Sequence, residues 1–208
     1  MCLFQHDAAG NPVVPEVYLC RRNREALGRL FVTGLTVTEN LNRPGSVSFQ
    51  VPRFYQGQEN PWYDQLETLQ LAYLPPHGYF SLTVETRSEG NEVKEVTGTS
   101  WESELDSRYL DSFQVNTFEE GDETDSQGNY VRSRLFDPED PDHSILHRAL
   151  SGTGWQIQMG GTGEAYTTLC GRTPTYDLSR QSVRGFLSDL QEEFDLLFRF
   201  GKEERTVT

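Results

Sequence analysis

The residues of this sequence that could bind a metal ion lie in its acidic middle. Carboxylates crowd residues 119–125, and carboxylate oxygens are the ligands that calcium prefers. In the register of a calcium-binding loop with Gly128 as the loop glycine, the ligands would be Glu123, Asp125 and Gln127. Arg134 then stands where the loop needs a bidentate glutamate. The pattern therefore favours an exposed acidic loop over a cation site.

A second group combines carboxylates with imidazoles, which are common ligands of transition metals. Its members are Asp137, Asp140, Asp142, His143 and His147. The two histidines are four residues apart and could share a helical face, but a third ligand at helical spacing is missing and no His-Glu-x-x-His motif occurs. Asp140 followed by Pro141 is more simply a helix N-cap and a proline at the first helical position.

Two segments have residues that could hold phosphate. One is a basic turn that contains Arg21, Arg22, Arg24 and Arg29. The formal net charge of −14 favours a solvated face for this turn, or an interface with an acidic neighbour. The other is the glycine run Gly160, Gly161 and Gly163, which could cradle phosphate only if a helix began directly after it. Residues 164–166 predict no such start, so we expect a flexible loop.

Candidate nucleophiles are few. Cys2, Cys20 and Cys170 are odd in number, scattered and without a Cys-x-x-Cys spacing, which predicts free thiols in a reducing compartment. None of them has the sequence context of a cysteine-peptidase nucleophile, and no Gly-x-Ser-x-Gly motif occurs. We therefore predict no catalytic, cofactor-binding or metal-binding residue, and no enzymatic activity.

Composition limits the partners of the chain. Its 208 residues are 35% hydrophobic, enough for one large or two small globular domains. Residues 85–142 contain 17 acidic and five basic residues, so they carry 12 of the 14 net negative charges and disfavour nucleic-acid binding. No apolar run is long enough to cross a bilayer, and residues 1–10 lack a signal-peptide pattern, which predicts maturation in a cytosol without membrane insertion.

The elements of the first domain are predicted to be short strands. Residues 42–52 are the clearest case, because Val47, Phe49 and Val51 alternate with polar residues between Pro44-Gly45 and Pro52. Further strands are predicted at residues 17–20, 30–40, 69–73, 80–84 and 92–98, with a short helix from Pro61 and another at residues 101–109. These elements predict an amino-terminal arm at residues 1–15 and an antiparallel β-barrel-like domain at residues 16–115.

Residues 116–208 are predicted to form a small α+β domain with two helices, so the whole chain is α+β and mainly β. One helix is expected at residues 141–150, ending at Gly152, and a longer one is capped by Ser179. The longer helix has an apolar stripe at Val183, Phe186, Leu187, Leu190 and Phe194. Strands are expected at residues 155–159 and 173–178, and residues 196–200 and 205–208 should pair as a hairpin.

Motifs in both halves resemble a known family. The first is Asn-x-x-Gly-Ser-x-Ser-Phe-x-Val-Pro at residues 42–52, followed by Pro-x-Tyr-Asp-x-Leu at 61–66 and Gly-x-Ser-x-Glu-x-x-Leu at 98–105. The second half adds Gly-Trp-Gln-Ile at residues 154–157, Ser-Val-x-x-Phe-Leu at 182–187 and Leu-x-Phe-x-Phe at 196–200. From Val17 onward the chain is similar to siphophage tail-tip proteins of the tail-associated lysin or "prophage endopeptidase tail" group. These proteins are related to the hub of contractile-tail baseplates, are longer than this chain and usually have an acidic residue at the position of Gly201.

The resemblance implies a structural component of a phage or prophage tail tip, in which three copies close the tail tube and carry distal host-binding or lytic modules. The implied partners are other copies, the distal tail ring and the tape measure, and the implied location is the virion tail after assembly in the bacterial cytoplasm. An edge strand such as residues 47–51 must be paired or covered, so we expect the first domain to mediate assembly. DNA should pass an acidic channel wall without stable binding. The alternatives are a cell-wall peptidase or a carbohydrate-binding adhesion module that uses Trp62 and Tyr63.

Overall fold

The computed structural model describes residues 5–6, 12–13, 16–40, 43–86, 92–118, 122–158 and 164–208. The chain divides into two compact units, Met1–Trp101 (unit 1) and Glu102–Thr208 (unit 2). Most of the predicted arm at residues 1–15 lies outside the described residues, as do Cys2, residues 119–121 of the acidic segment and the glycine run at residues 160–163.

Unit 1 consists of strands joined by turns, as the short period-two segments of its sequence predict. Its strands are β1 Gln5–His6, β2 Pro12–Val13, β3 Val17–Cys20, β4 Ala26–Leu30, β5 Thr33–Thr38, β6 Ser46–Pro52, β7 Phe54–Tyr55, β8 Gln58–Glu59, β9 Leu71–Leu74, β10 Gly78–Thr86 and β11 Val93–Ser100. Seven of them form one antiparallel sheet in the order β4-β3-β9-β10-β11-β6-β5.

Strand β6 confirms the clearest sequence prediction. Val47, Phe49 and Val51 are buried while the residues between them are exposed, because successive side chains of a strand point to opposite faces. The strand pairs with β5 on one side and β11 on the other, with Phe49 opposite Val96. Residues 47–51 are therefore inside the sheet, and the expectation that they form an edge strand is wrong.

The two edges of the large sheet are β4 and β5, and the described strands form no closed barrel. Only Phe31 and Val32 separate these strands in the chain, so at that end the edges are within about 11 Å of each other. The pairing registers show one extra residue in β4 and one in β5, where Gly34 has φ +63°. Such bulges bend a strand and interrupt its ladder.

Unit 2 combines helices with short strand pairs. Its strands are β12 Tyr109–Val115, β13 Gln156–Ile157, β14 Tyr176–Ser182 and β15 Thr206–Val207, and its helices are α1 Ile145–Leu150, α2 Glu164–Gly171 and α3 Val183–Phe194. There are also 3₁₀ helices at Trp101–Ser107, which crosses the division between the units, and at Pro141–His143. Strand β12 pairs with β14 in antiparallel fashion, and β13 pairs with β15 in parallel fashion.

Helix α3 provides much of the unit 2 core. Val183, Phe186, Leu187 and Leu190 are all buried, which confirms the predicted apolar stripe as far as Leu190. The cap is Ser182, whose hydroxyl accepts a hydrogen bond from the Gly185 amide at 3.0 Å. The prediction of Ser179 is wrong because β14 continues to Ser182, where the helix begins.

The class predicted from sequence, α+β and mainly β, is confirmed, while several boundaries differ. The division at Trp101 precedes the predicted domain end at residue 115, because β12 pairs with β14 of unit 2. Three α-helices occur in the described part of unit 2 instead of two, because α2 begins at Glu164. The prediction that no helix starts at residues 164–166 is therefore wrong. The predicted strand at residues 30–40 is divided between β4 and β5, and residues 61–65 form turns instead of a helix. The single helix predicted at residues 141–150 is divided at Ser144, whose backbone is extended, into a 3₁₀ helix and α1.

Candidate functional site

The loop that contains the Pro-x-Tyr-Asp-x-Leu motif is held to the sheet by a lysine. Lys94 on β11 donates hydrogen bonds from Nζ to the carbonyl oxygens of Tyr63, at 2.6 Å, and Leu66, at 3.0 Å. The ammonium also lies 4.7 Å from the centre of the Tyr63 ring. Burial lowers the pKa of Lys94, but both contacts orient the amine toward the loop, so it acts as a structural anchor.

A second cation contacts the same tyrosine from the end of β6. The Arg53 guanidinium lies 5.2 Å from the centre of the Tyr63 ring and pairs with Asp64 at 2.6 Å and Glu92 at 3.4 Å. Tyr63 is only 7% exposed, and Trp62 is half-buried against Gly28. The suggestion that Trp62 and Tyr63 form an exposed sugar-stacking surface is therefore wrong.

The arginines of the basic turn do not gather around a common point, and Arg29 pairs with Glu16 at 2.8 Å. Arg21 pairs with Glu25 at 2.9 Å, and Arg22 donates from Nε to the Leu69 carbonyl oxygen at 3.0 Å. The Arg24 guanidinium lies 5.8 Å from the centre of the Trp101 ring. These separate contacts agree with an exposed basic surface and do not form the converging donors of a phosphate site.

Hydroxyl groups line a shallow cleft of about 270 Å³ on the outer face of the large sheet. Cross-strand pairing brings Thr36, Ser48, Thr97 and Thr83 into one row, and Thr38, Ser46 and Thr99 into the next. Hydroxyls both donate and accept hydrogen bonds, so this cleft can hold neutral polar groups or water. Its lining contains no general base and no charged side chain.

The acidic segment uses its carboxylates for local structure. Asp125 accepts hydrogen bonds from the amides of Gln127 and Asn129 at 2.8 and 2.9 Å, and these bonds lower its pKa. Asp140 accepts from the His143 amide at 3.3 Å, as predicted for an N-cap, and Pro141 begins the 3₁₀ helix. Within the described residues, no group of three or more His, Cys, Asp or Glu side chains could hold a metal ion.

The two histidines of this segment have opposite environments. His143 Nδ1 is 2.8 Å from Asp140 Oδ2 and its Nε2 is 3.5 Å from Glu123, and these contacts raise the pKa of His143. His147 Nδ1 is 2.8 Å from the hydroxyl of buried Ser144, its ring stacks on Phe136 at 5.3 Å, and burial lowers its pKa. The structure therefore directs the two imidazoles to different partners instead of one metal.

The larger cleft, about 510 Å³, lies in unit 2 beside β13 and the end of α1. His147, Arg148, Asp142 and Trp155 are among its lining residues. The Arg148 guanidinium donates to the Gln114 carbonyl oxygen at 3.0 Å and stacks 5.4 Å from the Phe113 ring centre. The Arg148 guanidinium is thus engaged in packing, and the His147 imidazole of the cleft is hydrogen-bonded to the buried Ser144 hydroxyl.

A carboxylate that the sequence did not single out ties three segments of unit 2 together. Glu104 accepts hydrogen bonds from Trp155 Nε1 at 2.6 Å and from Arg205 at 2.5 and 3.0 Å. No local motif marks Glu104 or Lys94 in the sequence, because their hydrogen-bond partners are distant in the chain. The partners of Glu104 are 51 and 101 residues away, and those of Lys94 are about 30 residues away. Only the folded chain identifies them.

The cysteine of the large sheet is a poor nucleophile. Cys20 is buried in the sheet, and burial raises the pKa of its thiol. Cys170 is half-buried on α2, and both described cysteines are free.

None of the helices in the described part of the chain has the length and apolarity needed to cross a membrane. No protein-family model matches the chain, and no curated protein matches it significantly. The resemblance of its motifs to tail-tip proteins remains a basis for proposals.

Proposed function

We propose that the chain is a structural component of a phage or prophage tail-tip hub, in which three copies surround the tail axis. In this proposal it is not an enzyme and needs no cofactor. It contacts other copies, the distal tail ring and the tape measure, functions in the virion tail after assembly in the bacterial cytoplasm, and carries distal host-binding or lytic modules.

One observation carries the proposal: most of the apolar residues of the family-like motifs are buried, in both units. In unit 1 these are Val47, Phe49, Val51, Tyr63 and Leu66, and in unit 2 they are Trp155, Ile157, Val183, Phe186, Leu187 and Phe198. Burial at these positions is what the motif resemblance implies for core residues. This pattern supports a shared fold and a scaffold role.

The distribution of charge also supports this role. Unit 1 has 11 acidic and 8 basic residues, a formal charge of −3, while unit 2 has 21 acidic and 10 basic residues, a formal charge of −11. Three copies, each with a charge of −14, would carry −42 around the axis. A polyanion moving through such a ring would be repelled from its wall over a Debye length of about 8 Å.

Light scattering on the purified chain tests the proposal. A hub component should give three times the monomer mass of 23.8 kDa and should not retard DNA in a low-salt gel. A monomer at high concentration, or tight DNA binding, would refute it. Peptidoglycan zymography and a glycan array test the peptidase and adhesion alternatives on the same sample, and we expect no signal in either.

A further inference from the structure

Leu69 has two properties that are unusual for a leucine. Its φ is +74°, in the left-handed region that bulky residues rarely occupy, and its side chain is 54% exposed. The backbone is fixed there, because the Leu69 amide donates to the Leu82 carbonyl oxygen at 2.8 Å and the Leu69 carbonyl accepts from Arg22 Nε at 3.0 Å. Asparagine or glycine would fit this conformation with less strain. Within the chain, therefore, the leucine side chain adds strain and little burial.

The exposed leucine lies beside the basic turn. Arg21, Arg22 and Arg24 are all exposed, and the contact between Arg22 and the Leu69 backbone joins the turn to the leucine. We call these four residues the Leu69 patch. Arginine is enriched at protein interfaces, and a large exposed apolar side chain beside it can be buried when a partner binds.

The charge of the chain indicates what the patch can contact. Unit 2 carries −11, whereas unit 1 carries only −3 and includes this concentration of arginines. Contact between the patch and an acidic unit 2 surface would replace repulsion between copies by attraction. The edge strands offer a poorer route to assembly, because the bulges in β4 and β5 interrupt their ladders.

We infer that the Leu69 patch docks onto the acidic second unit of another copy of this chain. This inference rests on the proposed hub function and specifies the contact between its copies. The interface is heterologous, since it joins two different surfaces, and such contacts close into a ring when the rotation between copies allows it. The leucine supplies the apolar anchor, and the arginines supply the attraction and the selectivity for an acidic partner.

Substitution of Leu69 distinguishes its contribution to backbone strain from its contribution to association between copies. Leu69→Asn removes the apolar side chain and relieves the strained conformation, so the melting temperature of unit 1 should stay the same or rise. Association between copies should weaken by about tenfold or more, as for loss of a central interface residue. Gln56→Gly is the control for strain relief, because Gln56 also has positive φ, and Leu197→Asn controls for loss of an exposed leucine elsewhere. Unchanged association in Leu69→Asn would overturn the inference.

Charge reversal and cross-linking test the identity of the partner. Arg22→Glu should weaken association, and the effect should diminish as salt is raised. Arg22→Lys keeps the charge and adds an amine to a chain with only two lysines, Lys94 and Lys202. A zero-length carbodiimide reagent should couple this new amine to unit 2 carboxylates of another copy. In a mixture of ¹⁵N-labelled and unlabelled copies, such coupling gives cross-linked peptide pairs in which one peptide is labelled and the other is not. Coupling only within one chain, or only to unit 1 carboxylates, would contradict the proposed partner.

The outcomes distinguish this inference from the hub proposal. A trimer that is insensitive to Leu69→Asn and Arg22→Glu would overturn the inference and leave the hub proposal standing. An assembly of another size that is sensitive to both changes would support the contact and contradict the trimeric hub. A chain that is monomeric under all conditions would refute both.

Discussion

Lys94→Met should detach the loop of residues 61–67 from the sheet of unit 1. Methionine preserves most of the length and apolar stem of the lysine, so the change removes mainly the ammonium. The carbonyl oxygens of Tyr63 and Leu66 would lose the donor that now lies 2.6 and 3.0 Å away. The Tyr63 ring would also lose the cation that lies 4.7 Å from its centre.

The expected cost follows from these contacts. Hydrogen bonds to a charged donor contribute about 1.5–3 kcal/mol each, and a partly desolvated cation–π contact adds about 1 kcal/mol. Burial of the ammonium opposes them, since the pKa of Lys94 is lowered, and solvent can satisfy part of what the loop loses. We expect a net loss of about 2–4 kcal/mol in the free energy of unfolding of unit 1.

Urea unfolding together with peptide-resolved hydrogen exchange provides the measurement. Amides of β6 and β11 should exchange faster in Lys94→Met, while those of α3 in unit 2 should be unaffected. Lys202→Met, at the other lysine of the chain, is the matched control and should leave unit 1 unchanged. A urea midpoint for Lys94→Met within error of the wild-type value would show that the amine does not hold the loop.

Three further predictions concern unit 2. Phe186→Ala should lower the free energy of unfolding by about 3–5 kcal/mol, because the ring is 1% exposed and its removal leaves a cavity. An unchanged melting temperature would contradict the burial of the apolar stripe of α3. Glu104→Gln should lower the free energy of unfolding by about 1 kcal/mol, since the ion pair with Arg205 is half-exposed and screened by solvent. If loss of this ion pair is the cause, adding Arg205→Gln to Glu104→Gln should cause no further destabilisation. The raised pKa of His143 means that its pairing with Asp140 stabilises the fold fully below pH 6.5, and that this stability is lost as the pH rises through the folded pKa. His143→Gln should therefore destabilise the chain at pH 5.5 and not at pH 9, and NMR titration should give a pKa above 6.5.

Local sequence determined much of the secondary structure. Strand β6 follows from the alternation of Val47, Phe49 and Val51, and β3 occupies the predicted residues. The start of the 3₁₀ helix at Asp140 and Pro141 is also determined locally, since a side-chain cap and the fixed φ of proline act within one turn. The apolar stripe of α3 predicted its buried face for the same reason, because helical periodicity is written in neighbouring residues.

The sequence predicted less well those element boundaries that depend on pairing between distant residues. The Ser179 cap was wrong because β14 pairs with β12 along its length and delays the helix to Ser182. The same pairing assigns Tyr109–Val115 to unit 2, although these residues follow unit 1 directly in the chain. Helix α2 has a weak apolar pattern, so its sequence alone did not indicate it.

The sequence by itself determined the class of the fold and the acidic charge, since composition and periodicity are properties of the linear chain. Only the tertiary structure decided that Tyr63 is buried beneath Lys94, that Glu104 joins Trp155 to Arg205, and that Leu69 is exposed with a left-handed backbone. These facts arise from contacts between residues far apart in the chain. Their free energies depend on geometry that no local pattern specifies.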